Sequence, residues 1–414
     1  MVEDLTLTRA ISLTDDAVLR DPFPAYKWLR DNAPVYKDPV SGFYMVTRYA
    51  DIEAIAGDPA TFSNNTQMYF DRAFLADDEA GRVLREAAIH QTDTILTADP
   101  PAHTKYRAIV QGAFHPRRIN KMGEYITALS DELITGFEDK GRFEVLGDLA
   151  IVLPMYIIAD QLGVPREDYE TFKYWSDSRL LFTDLRLPVE VRVKCAWATV
   201  EMQKYLLAIA ERYRAEPADN IFSDVVNGEI DGRKLNDAEI ISIVSQLIVA
   251  GNETTTNTIA MGLQWMCRNG IEPALRADPS LMPVFVEEVL RLCSALQGMY
   301  RRTTCDTSVG GVDIHAGSVV MLRWGAANRD ERKFDNPDVM QLDRKNANQH
   351  LAFGSGIHYC VGNALARAEL RIAFTSLLAR LKNFRIADEP DDEQWIVHAF
   401  ARGISRLVLE FDRV

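Results

Sequence analysis

The sequence predicts a mainly helical chain with small β-sheets, an α+β fold forming one domain over residues 1–414. Three observations predict it. Apolar residues recur at helical spacing from about 104 to 295. Strand-like alternation is confined to stretches near 35–50, 305–323 and 394–412. No repeat, low-complexity tract or Gly/Ser linker divides the chain.

Taken in order, "PFPAYKWLRDN" (22–32) predicts a short helix ended by Pro34, and "PVYKDPVSGFYMVTRY" a hairpin around Ser41-Gly42. The helical bulk is broken at "GVPRED", "RAEPADN" and "GEIDGRK". "LAIVLPMYIIADQLGV" (149–164) is too short to span a bilayer and contains Pro154 and Asp160, so it predicts a core helix. "KLNDAEI" opens a long central helix: Asn236 can cap it, Glu239 stands three residues later as in a capping box, and the pattern runs to about Asn269.

Composition narrows the function. A net charge of -14 argues against nucleic acid and against anionic lipid, and suits a soluble protein with a neutral or apolar ligand. The N-terminus lacks a basic n-region and an apolar h-region, so no secretory signal or membrane anchor is expected. Five cysteines without a CxxC pair (195, 267, 293, 305, 360) suggest reduced thiols in a cytoplasm. GxSxG, HExxH and GxxxxGK[ST] are absent, which removes hydrolase, metalloprotease and P-loop readings.

Two stretches stand out. "QLIVAGNETTTNT" (246–258) puts Gly251 and the β-branched Thr254, Thr255 and Thr256 at the centre of the long helix. By itself this break fits a kink, a polar surface stretch or a site. "HLAFGSGIHYCVGNALARAELRIAF" (350–374) brackets Cys360 with Gly354, Gly356 and Gly362, then starts a helix. A helix N-terminus favours a thiolate, although an isolated cysteine in a loop is ordinarily structural.

The pattern Phe353, Gly354, Gly356, His358, Cys360, Gly362 resembles the haem-binding loop of the cytochrome P450 family. Further matches follow in order: "DPPAHTKYR" (99–107), "AGNETT" (250–255), "EEVLR" (287–291) and "ANRDERKFDNPDVMQLDR" (327–344). The resemblance covers nearly the whole chain in the form of bacterial members, and implies a P450 fold with haem b (iron protoporphyrin IX) between the central helix and the cysteine loop. It makes Cys360 the iron ligand, a thiolate whose electron donation favours O–O cleavage. Phe353 would shield the sulfur, and His103, Arg107, Arg301 and His358 would hold the haem carboxylates. Arg302 adjoins Arg301 in "MYRRTT", and the family's usual proline before this arginine is missing. Glu288, Arg291 and Arg344 would form a buried structural ion-pair network. Ala250 and Gly251 would leave room for O2, while Thr254 and Glu253 would pass it protons; Glu253 replaces the aspartate commoner in bacterial relatives.

The implied activity is hydroxylation of a hydrophobic small molecule, such as a terpenoid or alkyl aromatic. The implied pocket lies among the 64–97 loop (with Met68, Tyr69, Phe70 and Phe74), Gln246, Val249, Ala250, Leu296, Phe400 and Ala401. Electrons would come from an external ferredoxin and its NAD(P)H-dependent reductase, docking on basic residues among Lys105, Arg117, Arg118, Lys345 and Arg367. A monomer is expected. A peroxide-driven or non-oxygenating enzyme, and a non-catalytic haem ligand sensor, are the alternatives.

Overall fold

The structure, a computed structural model, describes residues 11–12, 15–66, 76–181, 187–387, 393–396, 399 and 401–414. Met68, Tyr69, Phe70, Phe74 and Phe400 therefore lie outside the described residues. Helices of nine residues or more are α1 (Phe23–Asn32), α2 (Tyr49–Gly57), α3 (Glu79–Ala87), α4 (Ala102–Ala113), α5 (Pro116–Thr135), α6 (Val152–Gln161), α7 (Tyr169–Leu181), α8 (Val189–Ala215), α9 (Asp237–Arg268), α10 (Met282–Cys293) and α11 (Asn363–Arg380). Strands are β1 (Val35–Lys37), β2 (Tyr44–Val46), β3 (Phe62–Ser63), β4 (Arg142–Glu144), β5 (Glu229–Ile230), β6 (Arg233–Lys234), β7 (Met299–Thr303), β8 (Thr307–Val309), β9 (Val312–Ile314), β10 (Val319–Leu322), β11 (Leu381–Ile386), β12 (Glu393–Trp395) and β13 (Ile404–Arg413).

The predicted hairpin forms, with Val35 opposite Val46 and Lys37 opposite Tyr44. It joins a five-stranded sheet of order β1-β2-β10-β7-β3. Strands β2 and β10 pair in parallel, Tyr44 against Val320; the other pairs are antiparallel. In the second sheet β13 lies between β11 and β12 and also pairs with β4. Two elements fall inside the stretch expected to be helical. Strand β4 is one, and the β5–β6 hairpin is the other: "GEIDGRK" is a turn through Asp231 and Gly232, both at positive φ, rather than a plain helix break.

The central helix carries the predicted ends. The Asn236 side chain accepts from the Glu239 backbone N–H at 3.0 Å, and Glu239 returns a bond to the Asn236 N–H at 2.8 Å. Asn269 follows the last turn. The expected break is corrected: α9 is one uninterrupted helix from Asp237 to Arg268. Its threonines are accommodated by bonding back to the preceding turn, Thr254 to the Ala250 carbonyl at 2.9 Å and Thr258 to that of Thr254 at 2.7 Å. Thr256 instead donates to the Ala150 carbonyl, tying α9 to the turn before α6.

Apolar residues of α4 to α11 form the largest core cluster, with α9 buried through most of its length. A second cluster lies under the five-stranded sheet, around Ile52, Val320, Leu322 and Trp324. Among the described residues no helix is long and apolar enough to cross a membrane.

Candidate functional site

The cysteine loop is held by its own backbone. Gly354 and Gly356 have φ of +71° and +70°, a region that L side chains rarely adopt. A Cβ on Gly356 would also come within 2.0 Å of the Ala56 carbonyl oxygen. The loop closes where the Cys360 N–H donates to the Phe353 carbonyl at 2.9 Å. Gly362 then caps α11, so Cys360 precedes a helix N-terminus, as predicted. Burial raises the Cys360 pKa, while the N–H groups of Gly362 and Asn363 and the charges of Arg107 and Arg367 act in the opposite sense. Cys267 and Cys293 are pushed up to about 12, chiefly by burial.

Four basic side chains from three segments gather at this loop. His103 and Arg107 are one turn apart on α4, and the His103 ring lies 4.1 Å from that of His358, centroid to centroid. Arg301 enters from β7. The strand's alternation settles the choice left by "RR": Arg301 is 4% exposed, whereas Arg302 points to solvent. Burial lowers the pKa of all four, bringing Arg301 to about 10 and, with His103 and Arg301 beside it, His358 to about 3. Among the described residues none of the four forms an ion pair, and Nε2 of both histidines is buried without a partner. Two arginines and two imidazoles with orphaned nitrogens, set close together without a counter-charge, are the environment that an anionic group satisfies. Haem, with its two carboxylates, fits these residues.

Helix α9 is buried on either side of its centre yet accessible at Gln246, Val249, Ala250, Glu253 and Thr254. The spacing i, i+3, i+4, i+7, i+8 makes these one helix face. Burial, reinforced by the charge of Asp177 on α7, raises the Glu253 pKa. Gly251 departs from expectation. A Cβ built there would meet Ile158 of α6 at 3.8 Å, an ordinary contact, so the position faces α6, and Ala250 is the small residue on the open face. Gln246 departs too: its Oε1 accepts from Thr94 Oγ1 at 3.2 Å and from the Leu96 N–H at 3.3 Å, so its polar end is taken by the neighbouring loop. Leu296 and Ala401, predicted to share a pocket wall, form an isolated antiparallel bridge.

Behind the cysteine loop, Glu288 and Arg291 are both fully buried and bonded twice, at 2.6 and 2.9 Å, and Arg344 Nε lies 3.0 Å from the same carboxylate. Arg291 also donates to the Asn328 carbonyl, and the Asn328 side chain accepts from the Leu351 N–H at the start of the loop.

The model of the cytochrome P450 family matches residues 167–410. The steroid C26-monooxygenase of Mycolicibacterium smegmatis is 32% identical over 88% of this chain and 86% of its own length. The structure of cytochrome P450 CYP109Q5 from Chondromyces apiculatus superposes with a TM-score of 0.85 at 34% identity, covering 98% of both chains. That of CYP109E1 from Bacillus megaterium in complex with testosterone gives 0.82 at 30%, covering 94% of this chain and 99% of that one. The chain belongs to the cytochrome P450 family.

It is thus a P450 monooxygenase with the P450 fold, and membership brings a haem–thiolate cofactor. Sequence reasoning missed one feature of this P450. Glu287 lies beside Glu288, about 100° round the helix, and binds a different pair: His350 Nε2 at 3.0 Å and Arg367 Nε at 2.6 Å. These partners hold its pKa down at about 2, although burial alone would raise it. The Arg367 guanidinium also lies 4.5 Å from the Phe353 ring centre. The doubled acid of "EEVLR" is the signal that could have found it. Arg367, expected as a docking charge, is therefore engaged within the loop's support. Arg118 is likewise paired with Asp219 and Asp224, and Lys105 with Asp231; Arg117 and Lys345 are exposed and form no ion pair among the described residues.

Proposed function

We propose that this P450 hydroxylates an apolar small molecule of terpenoid or steroid size, with Cys360 as the iron ligand of haem b. The observation that carries this reading is the set of four basic side chains without a counter-anion, His103 and Arg301 buried and Arg107 and His358 half-buried, beside a cysteine at a helix N-terminus. When bound, the haem supplies the iron at which O2 is reduced and a C–H bond oxidised. Cys360 Sγ would hold that iron, with the Gly362 and Asn363 N–H groups stabilising its negative charge. His103, Arg107, Arg301 and His358 would bind the carboxylates. Phe353, stacked under Arg367, keeps water from the sulfur. The triad of Glu288, Arg291 and Arg344 fixes the loop through Asn328.

On the facing helix, Ala250 leaves space. The Thr254 hydroxyl turns from the Ala250 carbonyl to donate towards the reacting oxygen, and the Glu253 carboxyl, whose affinity for a proton is raised by burial, relays the proton that replaces it. Val249, Leu296 and Ala401 offer substrate apolar surface, while Gly251 acts as a helix contact to α6. Relatives that act on or bind steroids support an apolar substrate.

The reading extends to the whole chain acting as one cytoplasmic, monomeric domain, fed by a ferredoxin that docks near Arg117 and Lys345. The test is the absorption spectrum of the dithionite-reduced protein under carbon monoxide. A strongly red-shifted Soret band, lost in Cys360→Ser, is expected; an ordinary carbonyl band in the unaltered protein overturns the thiolate assignment. Substrate-dependent O2 uptake with a reconstituted ferredoxin is expected to separate this enzyme from a peroxide-only variant or a sensor.

A further inference from the structure

Residues 89–96 run as a strap between elements that are distant in sequence. At one end the Gln203 side chain of α8 bonds Ile89 reciprocally, accepting from its N–H at 2.7 Å and donating to its carbonyl at 3.0 Å. In the middle the Thr92 N–H donates to Ser242 Oγ on α9 at 2.9 Å. One turn along the same helix, Gln246 Oε1 receives Thr94 Oγ1 and the Leu96 N–H. These two donors flank Ile95, whose carbonyl meets His358 Nδ1 at 3.2 Å. A carbonyl can only accept, so Nδ1 donates, and this bond fixes the plane of the imidazole and the direction of Nε2.

We propose that Gln246 is a positioning residue for His358. It clamps the peptide on both sides of Ile95, the Ile95 carbonyl orients the His358 ring, and the strap thereby joins helices α8 and α9 to the haem-carboxylate cradle. The proposal rests on the reading of His358 as a carboxylate ligand. A side chain on a long buried helix is a rigid reference point, whereas the strap has no regular secondary structure to hold its register. Loss of the Gln246 oxygen leaves two donors unpaired, and the strap must shift to find others.

The experiment follows haem transfer from the ferric holoenzyme to excess apomyoglobin in Gln246→Leu, Gln246→Glu, His358→Phe and the double variant Gln246→Leu/His358→Phe. Gln246→Leu is expected to release haem roughly three- to tenfold faster, the effect of one lost hydrogen bond. Gln246→Glu retains the acceptor and is expected to remain near the parent rate. The double variant is expected to match His358→Phe alone, because the glutamine acts through the histidine. Full additivity of the two effects, or no effect of Gln246→Leu, overturns the coupling while leaving His358 as a ligand. No acceleration in His358→Phe removes the ligand reading itself, and the proposal with it. Hydrogen exchange of the holoenzyme supplies the structural readout: faster exchange in Gln246→Leu at both 89–98 and 354–360 supports the link, and a change confined to 89–98 overturns it.

Discussion

The Thr254 hydroxyl donates to the carbonyl of Ala250, 2.9 Å away and one turn earlier. An internal bond of this kind gives the hydroxyl a partner whenever it is not donating elsewhere. Thr254→Ala is expected to bind haem and substrate as the parent does, while peroxide rises several-fold as a share of oxygen consumed. Oxygen uptake, product and peroxide measured together decide it; unchanged coupling would remove Thr254 from proton delivery.

Glu253 lies on the same accessible face, with its pKa raised by burial and by Asp177. A carboxyl that holds its proton more tightly than an exposed glutamate is a better relay for one. Glu253→Gln keeps the shape and removes the exchangeable acid. Product formation is expected to fall by about tenfold to a hundredfold, with the carbon monoxide spectrum unaltered. Equal rates would assign the proton to another group.

Glu288 and Arg291 are both fully buried and Arg344 shares the carboxylate, so removing the Glu288 charge leaves two arginines without compensation. Glu288→Gln is expected to cost about 3–5 kcal/mol in urea unfolding and to lower haem content. A loss below about 1 kcal/mol would place the anchor of the loop elsewhere.

Acid stability should report on the start of α9. Arg233, opposed by burial and aided by the Asn236 N–H and the Tyr106 hydroxyl, holds the Glu239 pKa at about 2, against 4.5 for an unperturbed glutamate. The folded pKa lies below the unfolded one, so this contribution is complete above about pH 4.5 and is lost as pH falls towards 2. Arg233 is half exposed, and screening reduces the contribution to roughly 1–3 kcal/mol. Between pH 6 and 3 the parent should lose roughly half or a little more of that contribution relative to Glu239→Gln; parallel curves would sink the assignment.

Much of this molecule could be read locally. The ends of α9 follow from Asn236, Glu239 and Asn269, because a capping box involves residues three apart. The Cys360 loop was legible because two glycines at positive φ and a following helix leave a dense signature within ten residues. The Gly251–Thr256 stretch misled: back-bonding threonines preserve a helix that propensity alone would interrupt. Gln246 was read as a pocket residue because its partners, Thr94 and Leu96, lie about 150 residues earlier. Strand β4 was invisible for a similar reason: three residues become a strand only because β13 pairs with them.

The pairing of β2 with β10 also bears on how the protein is made. Tyr44 to Val46 bond in parallel with Val320 to Leu322, a partner strand that leaves the ribosome some 270 residues later. At roughly 5–20 residues per second, the first hairpin waits about 14–55 s for that neighbour. Throughout this interval one edge of β2 is open to other chains, which makes the nascent N-terminal segment, rather than the finished enzyme, the species most in need of a chaperone.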